Sequence, residues 1–137
     1  MYERTLVLIK PDGVSRRLVG EIIGRYERTE LRIADMKMVA PDERIFRAHY
    51  AEHVSKGFFP ALLDFMMSGS TIAMILEGED AISLVRAING ATDPAKADKG
   101  TIRGDLATEI TYNLVHGSDS PESAERELDI WFGDTVR

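Results

Sequence analysis

The feature that most constrains this chain is an unbroken apolar run near its start, which ends abruptly at a turn. Residues 4–9 are RTLVLI, a short apolar run typical of a strand buried on both faces of a sheet. The run stops at KPDG, residues 10–13, and each of the last three residue types favours a turn. The rest of the chain must therefore supply the elements that cover this strand.

Helix and strand patterns alternate along the remaining sequence. Apolar residues at helical spacing predict an amphipathic helix over 19–26, and a second stripe over 81–88 ends at an Asn-Gly pair typical of a C-cap. The other predicted helices are 41–53, 58–67 and 120–132, the last beginning with Ser120, Pro121 and an acidic first turn. The other predicted strands are 31–39, 71–77 and 111–116, and residues 91–104 are predicted to be irregular.

This order of elements indicates an α/β protein of the α+β type, a sandwich with helices on a four-stranded sheet. The sequence contains no internal repeat and no Pro/Gly/Ser linker, so we predict a single domain over residues 1–137. No G-x-G-x-x-G follows the first strand, which disfavours a doubly wound dinucleotide fold. The G-x-x-x-x-G-K-[ST] phosphate loop is also absent, so any nucleotide would have to be bound by a different motif.

Composition excludes several classes of function. The chain has no cysteine, which rules out a disulfide scaffold, a thiolate nucleophile and an iron–sulfur cluster. No apolar run approaches the length of about 20 residues that spans a bilayer, and no signal peptide begins the chain, so we expect a cytoplasmic protein without a membrane partner. The net charge of −6 disfavours nucleic acid as the main partner, although a few converging cations would still bind a small polyanion.

His116 is the first candidate for chemistry. It ends an apolar strand and is followed by GSDS, so a glycine, two hydroxyls and a carboxylate lie within four residues. An imidazole here is either a nucleophile or proton shuttle, or a histidine whose hydrogen bonds are simply satisfied at a strand end. The glycine would allow a ligand or another backbone to come close.

Glu127 is the second candidate, because its helical position is unusual for a carboxylate. Ala124, Leu128 and Trp131 define the buried stripe of the last helix, and Glu127 follows Ala124 by three positions on the same face. An acidic group there is either paired, functional, or turned outwards to water. Pairing would suit a nucleophilic imidazole, which needs a partner to fix its tautomer.

Three cations are candidates for binding phosphate. Arg103 lies between small residues in TIRGD, residues 101–105, where it would reach a phosphate or pair with Asp105 at the surface. Arg86 lies beside the apolar stripe of its helix and is either part of a cleft or an ordinary exposed charge. Lys10 ends the buried strand, a position that often opens onto a crevice, or it is simply a charged strand end.

Aromatic residues and histidines form a further stripe over residues 46–53. The spacing of Phe46, His49, Tyr50 and His53 favours packing or a subunit contact. His49 and His53 have the i, i+4 spacing of a metal pair, but no H-E-x-x-H surrounds them, so the sequence disfavours a metal. Phe58 is either a core residue or a ring on which a base stacks.

Taken together, four segments resemble the nucleoside diphosphate kinase family over essentially the whole chain. They are RTLVLIKPDG at 4–13, GATDP at 90–94, GTIRGD at 100–105, and NLVHGSDS at 113–120 followed by ESAE at 122–125. The resemblance implies a ferredoxin-like sandwich with a four-stranded antiparallel sheet. It also implies an enzyme that passes the γ-phosphate of a nucleoside triphosphate to a nucleoside diphosphate through a phosphohistidine.

The resemblance assigns roles to residues of this chain. His116 would be the nucleophile, with the phosphate on its pros nitrogen, and Ser118 and Glu127 would support the imidazole. Phe58 would stack on the base, and Mg²⁺ would be held mainly by the nucleotide phosphates, with no direct protein ligand. The residues implied around the phosphates and sugar are Lys10, Tyr50, Arg86, Thr92, Arg103 and Asn113. The implied partners are ATP and other nucleoside tri- and diphosphates, and further copies of the chain in a hexamer or tetramer built from dimers.

A few positions depart from the family pattern. Lys56-Gly57 stands where a basic residue and a proline are common, and Ser70 stands where a proline is usual. Neither removes a chemical group from the implied site. The rival interpretation, a nucleotide-binding or regulatory module without turnover, would need a lesion at His116, Lys10 or Arg103, and the sequence has none.

Overall fold

A computed structural model describes residues 1–136, with side chains through Gly133; Arg137, the last residue of the predicted domain, lies outside them. The strands are β1 (Tyr2–Ile9), β2 (Arg32–Val39), β3 (Thr71–Glu79) and β4 (Val115–Gly117). They form one sheet in the order β2-β3-β1-β4, and every neighbouring pair is antiparallel. The helices are α1 (Pro11–Ser15), α2 (Val19–Glu27), α3 (Glu43–His49), α4 (Phe59–Met66), α5 (Ala81–Asn89), α6 (Ile102–Leu106) and α7 (Pro121–Val136). The predicted four-stranded antiparallel sheet covered by helices is confirmed.

β1 is an inner strand, and both of its faces are covered. Leu6 and Leu8 pack into a cluster with residues of α3, α4 and α7 on one face of the sheet. Val7 and Ile9 pack into a second cluster with residues of α2 and α5 on the other face. Alternate side chains of a strand point to opposite faces, so a strand between two helical layers is apolar at every position, as the sequence predicted.

The longest helices follow the sequence patterns. α2 and α5 match their predicted stripes closely, and α7 begins at Pro121 with the hydroxyl of Ser120 accepting a hydrogen bond from the Ser123 N–H at 3.1 Å. The backbone of α7 leaves helical geometry at Phe132 (φ −134°, ψ 22°), where the predicted helix ended. Within residues 1–136, none of the helices has both the length and the apolar character needed to cross a bilayer.

Short helices are where the predictions need correction. The predicted helix over 41–53 is α3 followed by a separate 3₁₀ turn, Ala51–His53. The predicted irregular stretch over 91–104 contains a 3₁₀ turn, Pro94–Lys96, and the start of α6, where Thr101 Oγ1 accepts from the Gly104 N–H at 3.0 Å. Three of the four residues of the predicted KPDG turn are the first residues of α1. These pieces are too short to show a helical period in sequence.

The predicted strand over 111–116 was wrong in extent, because only its end pairs with the sheet as β4. Leu114 takes a left-handed backbone conformation (φ 77°), which interrupts an extended chain. Its N–H donates to a carboxylate oxygen of Asp12 at 3.2 Å, and its carbonyl accepts from the Lys10 N–H at 2.8 Å. The turn after β1 therefore holds the approach to β4 out of strand geometry.

Candidate active site

A cleft of about 700 Å³ opens beside the end of β4. Its walls come from the C-terminal end of α3, the end of α5, the 90–103 segment and the first turns of α7. Eight of the ten predicted site residues line it: Lys10, Tyr50, Arg86, Thr92, Arg103, Asn113, His116 and Glu127. Of the other two, Ser118 lies behind the lining residues and Phe58 lies beside them.

His116 reaches the cleft from β4, where it pairs with Leu8 of β1. The glycine after it allows a neighbouring helix to come close, as the sequence suggested. A Cβ at Gly117 would lie 2.8 Å from Cγ1 of Val85 and 3.0 Å from Nδ2 of Asn89. α5 therefore packs directly on β4, and Arg86 of the same helix donates to the Gly117 carbonyl at 3.3 Å.

Glu127 holds the His116 imidazole. Its Oε1 lies 2.8 Å from Nε2 of His116 and also accepts from the Ser118 hydroxyl at 2.7 Å. The Glu127 residue is 5% exposed, so the alternative in which it turns outwards to water was wrong. A carboxylate only accepts hydrogen bonds, so Nε2 of His116 carries the proton and the lone pair of the neutral ring is on Nδ1.

Nδ1 is the nitrogen of His116 that remains available. Among the described residues, none forms a hydrogen bond with it. The side chain is 20% exposed and lines the cleft. The imidazole thus has one nitrogen held by a buried carboxylate and the other free for a ligand.

Lys10 brings a buried positive charge to the cleft. Its Nζ donates to Oδ1 of Asn113 at 2.9 Å. Burial, together with the nearby positive charge of Arg103, lowers the pKa of the Lys10 ammonium to about 8, and Asp12 opposes this shift. An anion in the cleft would favour the charged form, so the site is prepared for a negatively charged ligand.

Arg103 is held by backbone carbonyls and not by the acidic residue next to it in sequence. Its guanidinium donates to the carbonyls of Asn113 at 3.2 Å, Gly90 at 2.9 Å and Val115 at 2.6 Å. The predicted alternative, a surface pair with Asp105, was wrong, because Asp105 pairs with Arg25 at 2.8 Å. Arg103 therefore connects its own helix to Gly90 and to the 113–115 segment, and among the described residues no carboxylate pairs with its charge.

The hydroxyl of Tyr50 is buried and, among the described residues, has no hydrogen-bond partner. Burial raises the pKa of this phenol, so it stays protonated and can donate. Buried polar atoms are nearly always paired in folded proteins. Since Tyr50 lines the cleft, a ligand oxygen is the natural acceptor for this O–H.

Phe58 lies outside the cleft lining, at its rim. Its side chain is 53% exposed, and its ring centroid is 5.4 Å from that of His53, which does line the cleft. The neighbouring Phe59 is buried in its place. The core alternative for Phe58 was therefore wrong, and its ring is accessible for stacking.

His49 is a site residue that sequence reasoning missed. It is 4% exposed and lines the same cleft, with its ring centroid 4.6 Å from that of His116 and an interplanar angle of 75°. Burial holds the pKa of His49 well below its usual range, so the ring is neutral. The stripe over residues 46–53 did not single out His49 as a site residue, because the same face of α3 packs against the core and lines the cleft.

Among the described residues, the cleft does not bring together a set of oxygen ligands alone for Mg²⁺. The described residues that approach one another with ligand atoms are His49, His116 and Glu127, a nitrogen-rich set that Mg²⁺ does not prefer. Asp119 lines the cleft near Arg86, and hydrogen bonding from Ser123 lowers the pKa of its carboxyl. The residues present therefore fit Mg²⁺ that arrives on nucleotide phosphates, and Asp119 adds an ionised carboxylate to the cleft.

The antiparallel sandwich and this cleft, with cations around a free imidazole nitrogen, define the class of a phosphate-handling enzyme. The family model for nucleoside diphosphate kinase matches residues 3–136. The chain belongs to the nucleoside diphosphate kinase family, whose enzymes transfer a nucleotide phosphate.

Similar proteins agree with this assignment. The chain is 59% identical over 133 residues to a nucleoside diphosphate kinase of Mycobacterium sp. (strain MCS), covering 96% of this chain and 98% of that protein. It is 58% identical over 130 residues to one of Cutibacterium acnes, covering 95% and 94%. The crystal structure of nucleoside diphosphate kinase from Encephalitozoon cuniculi, 43% identical, superposes with a TM-score of 0.95 over 98% of this chain and 92% of that one.

Proposed function

We propose that the protein moves the γ-phosphate of a nucleoside triphosphate to a nucleoside diphosphate by a ping-pong reaction, with Nδ1 of His116 as the intermediate carrier. The observation that carries this proposal is the hydrogen bond between Nε2 of His116 and Glu127 at 2.8 Å. It leaves the Nδ1 lone pair free on a ring that lines the cleft, and Nδ1 is the pros nitrogen that the family resemblance implies.

The proposed reaction has two matching halves. The Nδ1 lone pair forms a bond to the γ-phosphorus, and the bond from that phosphorus to the β,γ-bridging oxygen breaks. The bridging electron pair leaves with the nucleoside diphosphate. Positive charge then develops on the imidazole, and Glu127 stabilises it through the Nε2 proton while Ser118 keeps the carboxylate in place. A second diphosphate reverses these steps and removes the phosphoryl group.

Charge stabilisation falls to the cations and the free hydroxyl of the cleft. Phosphoryl transfer depends more on positioning and electrostatics than on acid–base groups. We propose that Lys10, Arg86 and Arg103 bind the phosphates, and that the unpartnered hydroxyl of Tyr50 donates to a phosphate oxygen. The protein carries a net charge of −6, so these cations concentrate anion binding in one place.

The nucleoside would lie between the phosphate site and the rim. Asn113 donates to the Thr92 carbonyl at 3.2 Å, and we propose that these two side chains contact the sugar and phosphates. Phe58, exposed at the rim, would stack on the base. Stacking accepts any base, which suits an enzyme that takes several nucleotides.

Mg²⁺ is the proposed cofactor and would enter with the nucleotide. When bound, it would neutralise phosphate charge and orient the γ-phosphate. Its ligands would come mainly from the nucleotide phosphates, as the resemblance implies, and Asp119 supplies an exposed, ionised carboxylate in the same cleft. His116 and Glu127 remain free for the imidazole chemistry.

The experiment that tests the mechanism uses γ-labelled ATP with magnesium on the wild type, His116→Ala and His53→Ala. We expect an alkali-stable, acid-labile label on the wild type and on His53→Ala, which chases onto GDP, and no label on His116→Ala. If the wild type binds ATP and takes up no label, the protein is a nucleotide-binding module without turnover. If His116→Ala keeps the label, another residue is the nucleophile.

We also propose that the chain is one domain over residues 1–137 that acts in the cytoplasm as a hexamer or tetramer built from dimers. The edge strand β2 supports association, because Met36 and Met38 are 50% and 59% exposed on it. Sedimentation equilibrium measures the number of subunits. Limited proteolysis tests the single domain, and cell fractionation tests the location.

A further inference from the structure

Trp131 forms a hydrogen bond with the ring of His49. The indole Nε1–H of Trp131 donates to Nδ1 of His49 at 3.0 Å, and both residues are buried. A nitrogen that accepts a hydrogen bond carries no proton. An indole nitrogen only donates, so Nδ1 of His49 is unprotonated and the single ring proton is on Nε2.

His49 belongs to a group that has the composition of a transition-metal site. One nitrogen of His49, one nitrogen of His116 and one oxygen of Glu127 all lie within 4.8 Å of one another. Two imidazoles and a carboxylate are preferred ligands of zinc and similar ions. Zinc–ligand bonds of about 2.1 Å would need only modest side-chain rotations to close around one ion.

We propose that the indole N–H of Trp131 fixes the Nε2–H tautomer of His49 and thereby prevents this group from coordinating a transition metal. Coordination needs a lone pair. Nδ1 uses its lone pair for the indole N–H, and Nε2 holds the proton. For Nε2 to bind a metal, the proton would have to move to Nδ1, where it would face the indole N–H at hydrogen-bond distance and leave two buried donors without an acceptor.

The arrangement differs from that of ordinary metal sites. A ligating histidine normally donates its second N–H to a carboxylate or a carbonyl, whereas His49 meets a donor there. His116 and Glu127 therefore stay bonded to each other and not to an ion. Binding of Zn²⁺ is measured without turnover, so this inference is tested independently of the proposed phosphotransfer.

The first measurement is the tautomer itself. Two-bond ¹H–¹⁵N correlation spectra of ¹⁵N-histidine-labelled protein distinguish a protonated ring nitrogen from an unprotonated one. We expect His49 to show Nε2 protonated and Nδ1 unprotonated across neutral pH. A spectrum with the proton on Nδ1, or with both nitrogens protonated, would overturn the proposal before any variant is made.

The second measurement removes the indole N–H and little else. Trp131 is the only tryptophan in the sequence, so expression with benzothienylalanine replaces its N–H by sulfur in a ring of nearly the same shape. Titration with Zn²⁺ alone, on untagged protein without nucleotide, compares this protein with the wild type. We expect at least a tenfold gain in Zn²⁺ affinity.

Three substitutions complete the test. Trp131→Phe should show the same gain, and Phe46→Leu, which reduces packing against Trp131 but leaves the N–H, should not. Adding His49→Gln to the sulfur-containing protein should abolish the gain. The proposal is refuted if the sulfur-containing protein binds Zn²⁺ no better than the wild type, or if the gain survives His49→Gln.

Discussion

Raising the pH should lower kcat/KM, because Lys10 loses the positive charge that binds phosphate. Burial and Arg103 lower the pKa of its ammonium from 10.5 to about 8, so at pH 9 only about a tenth of the free protein keeps this charge. Since kcat/KM reports the free enzyme, we expect it to fall with an apparent pKa of about 8, by roughly tenfold at pH 9. The alkaline fall in kcat should occur at a higher pH than the fall in kcat/KM, because bound phosphate favours the charged ammonium.

Steady-state assays from pH 6.5 to 10 with MgATP and a diphosphate acceptor measure this profile. Lys10→Arg keeps a positive charge throughout the range, so its kcat/KM should lose the alkaline limb even if its plateau is lower. Lys99→Met removes an exposed lysine outside the cleft and should keep the limb. A wild-type profile that is flat to pH 10, or a limb that persists in Lys10→Arg, would refute the reasoning.

The same shift predicts how stability changes with pH. Because the folded pKa of Lys10 is below its unfolded value of 10.5, the native state binds fewer protons than the unfolded state between about pH 8 and 10.5. The contribution of Lys10 to the free energy of unfolding therefore rises with pH across that window, by up to about 3 kcal/mol. Urea unfolding at fixed protein concentration should show this rise in the wild type relative to Lys10→Met; parallel curves would contradict it.

Three further substitutions test the cleft and its frame. Glu127→Gln weakens the charged hydrogen bond to His116 by about 1.5–3 kcal/mol, so phosphoenzyme formation in rapid-quench experiments should slow by about 10- to 150-fold. Phe58→Ala removes the proposed stacking surface and should raise KM for ATP and GTP alike by roughly fivefold, or about 1 kcal/mol, in steady-state assays. Gly104→Ala places a Cβ 1.9 Å from the carbonyl oxygen of Asp98 and should lower the free energy of unfolding in urea by about 1–3 kcal/mol.

Each of these substitutions has a matched control in the chain. Glu125→Gln changes an exposed carboxylate of α7 and Tyr112→Ala removes an exposed ring outside the cleft; neither should alter kinetics. At Gly20 nothing lies within 4 Å of an added Cβ, so Gly20→Ala should not destabilise. Equal effects in a variant and its control would remove the specific explanation for that site.

The fold was predictable from the sequence where burial makes the apolar residues follow a clear pattern. β1 and α5 each pack against a full layer of neighbours, so their apolar residues repeat in a way that sequence alone displays. The approach to β4 was not predictable, because the left-handed conformation of Leu114 is set by Asp12 and Lys10. Contacts between residues so far apart in the chain leave no local pattern.

The residues of the candidate site were also predictable only in part. The carboxylate of Glu127 on an apolar helix face made a buried partner one of three alternatives, and the structure shows that partner to be His116. The role of Arg103 was ambiguous, since its acceptors are backbone carbonyls, which every sequence has. His49 was hidden for a third reason: its environment is a ring of His116 and an indole from α7, which only the folded chain brings together.

The pairing of β1 with β4 has a consequence for how the protein is made. Lys10 and its partner Asn113 are separated by 103 positions, and ribosomes add about 5–20 residues per second. One edge of β1 therefore waits about 5–20 s during translation before the strand that covers it has been made. Throughout that interval an apolar strand has an unpaired edge, which is a template for aggregation. We expect nascent chains stalled before Val115 to depend on chaperones, and solubility to return once β4 leaves the ribosome.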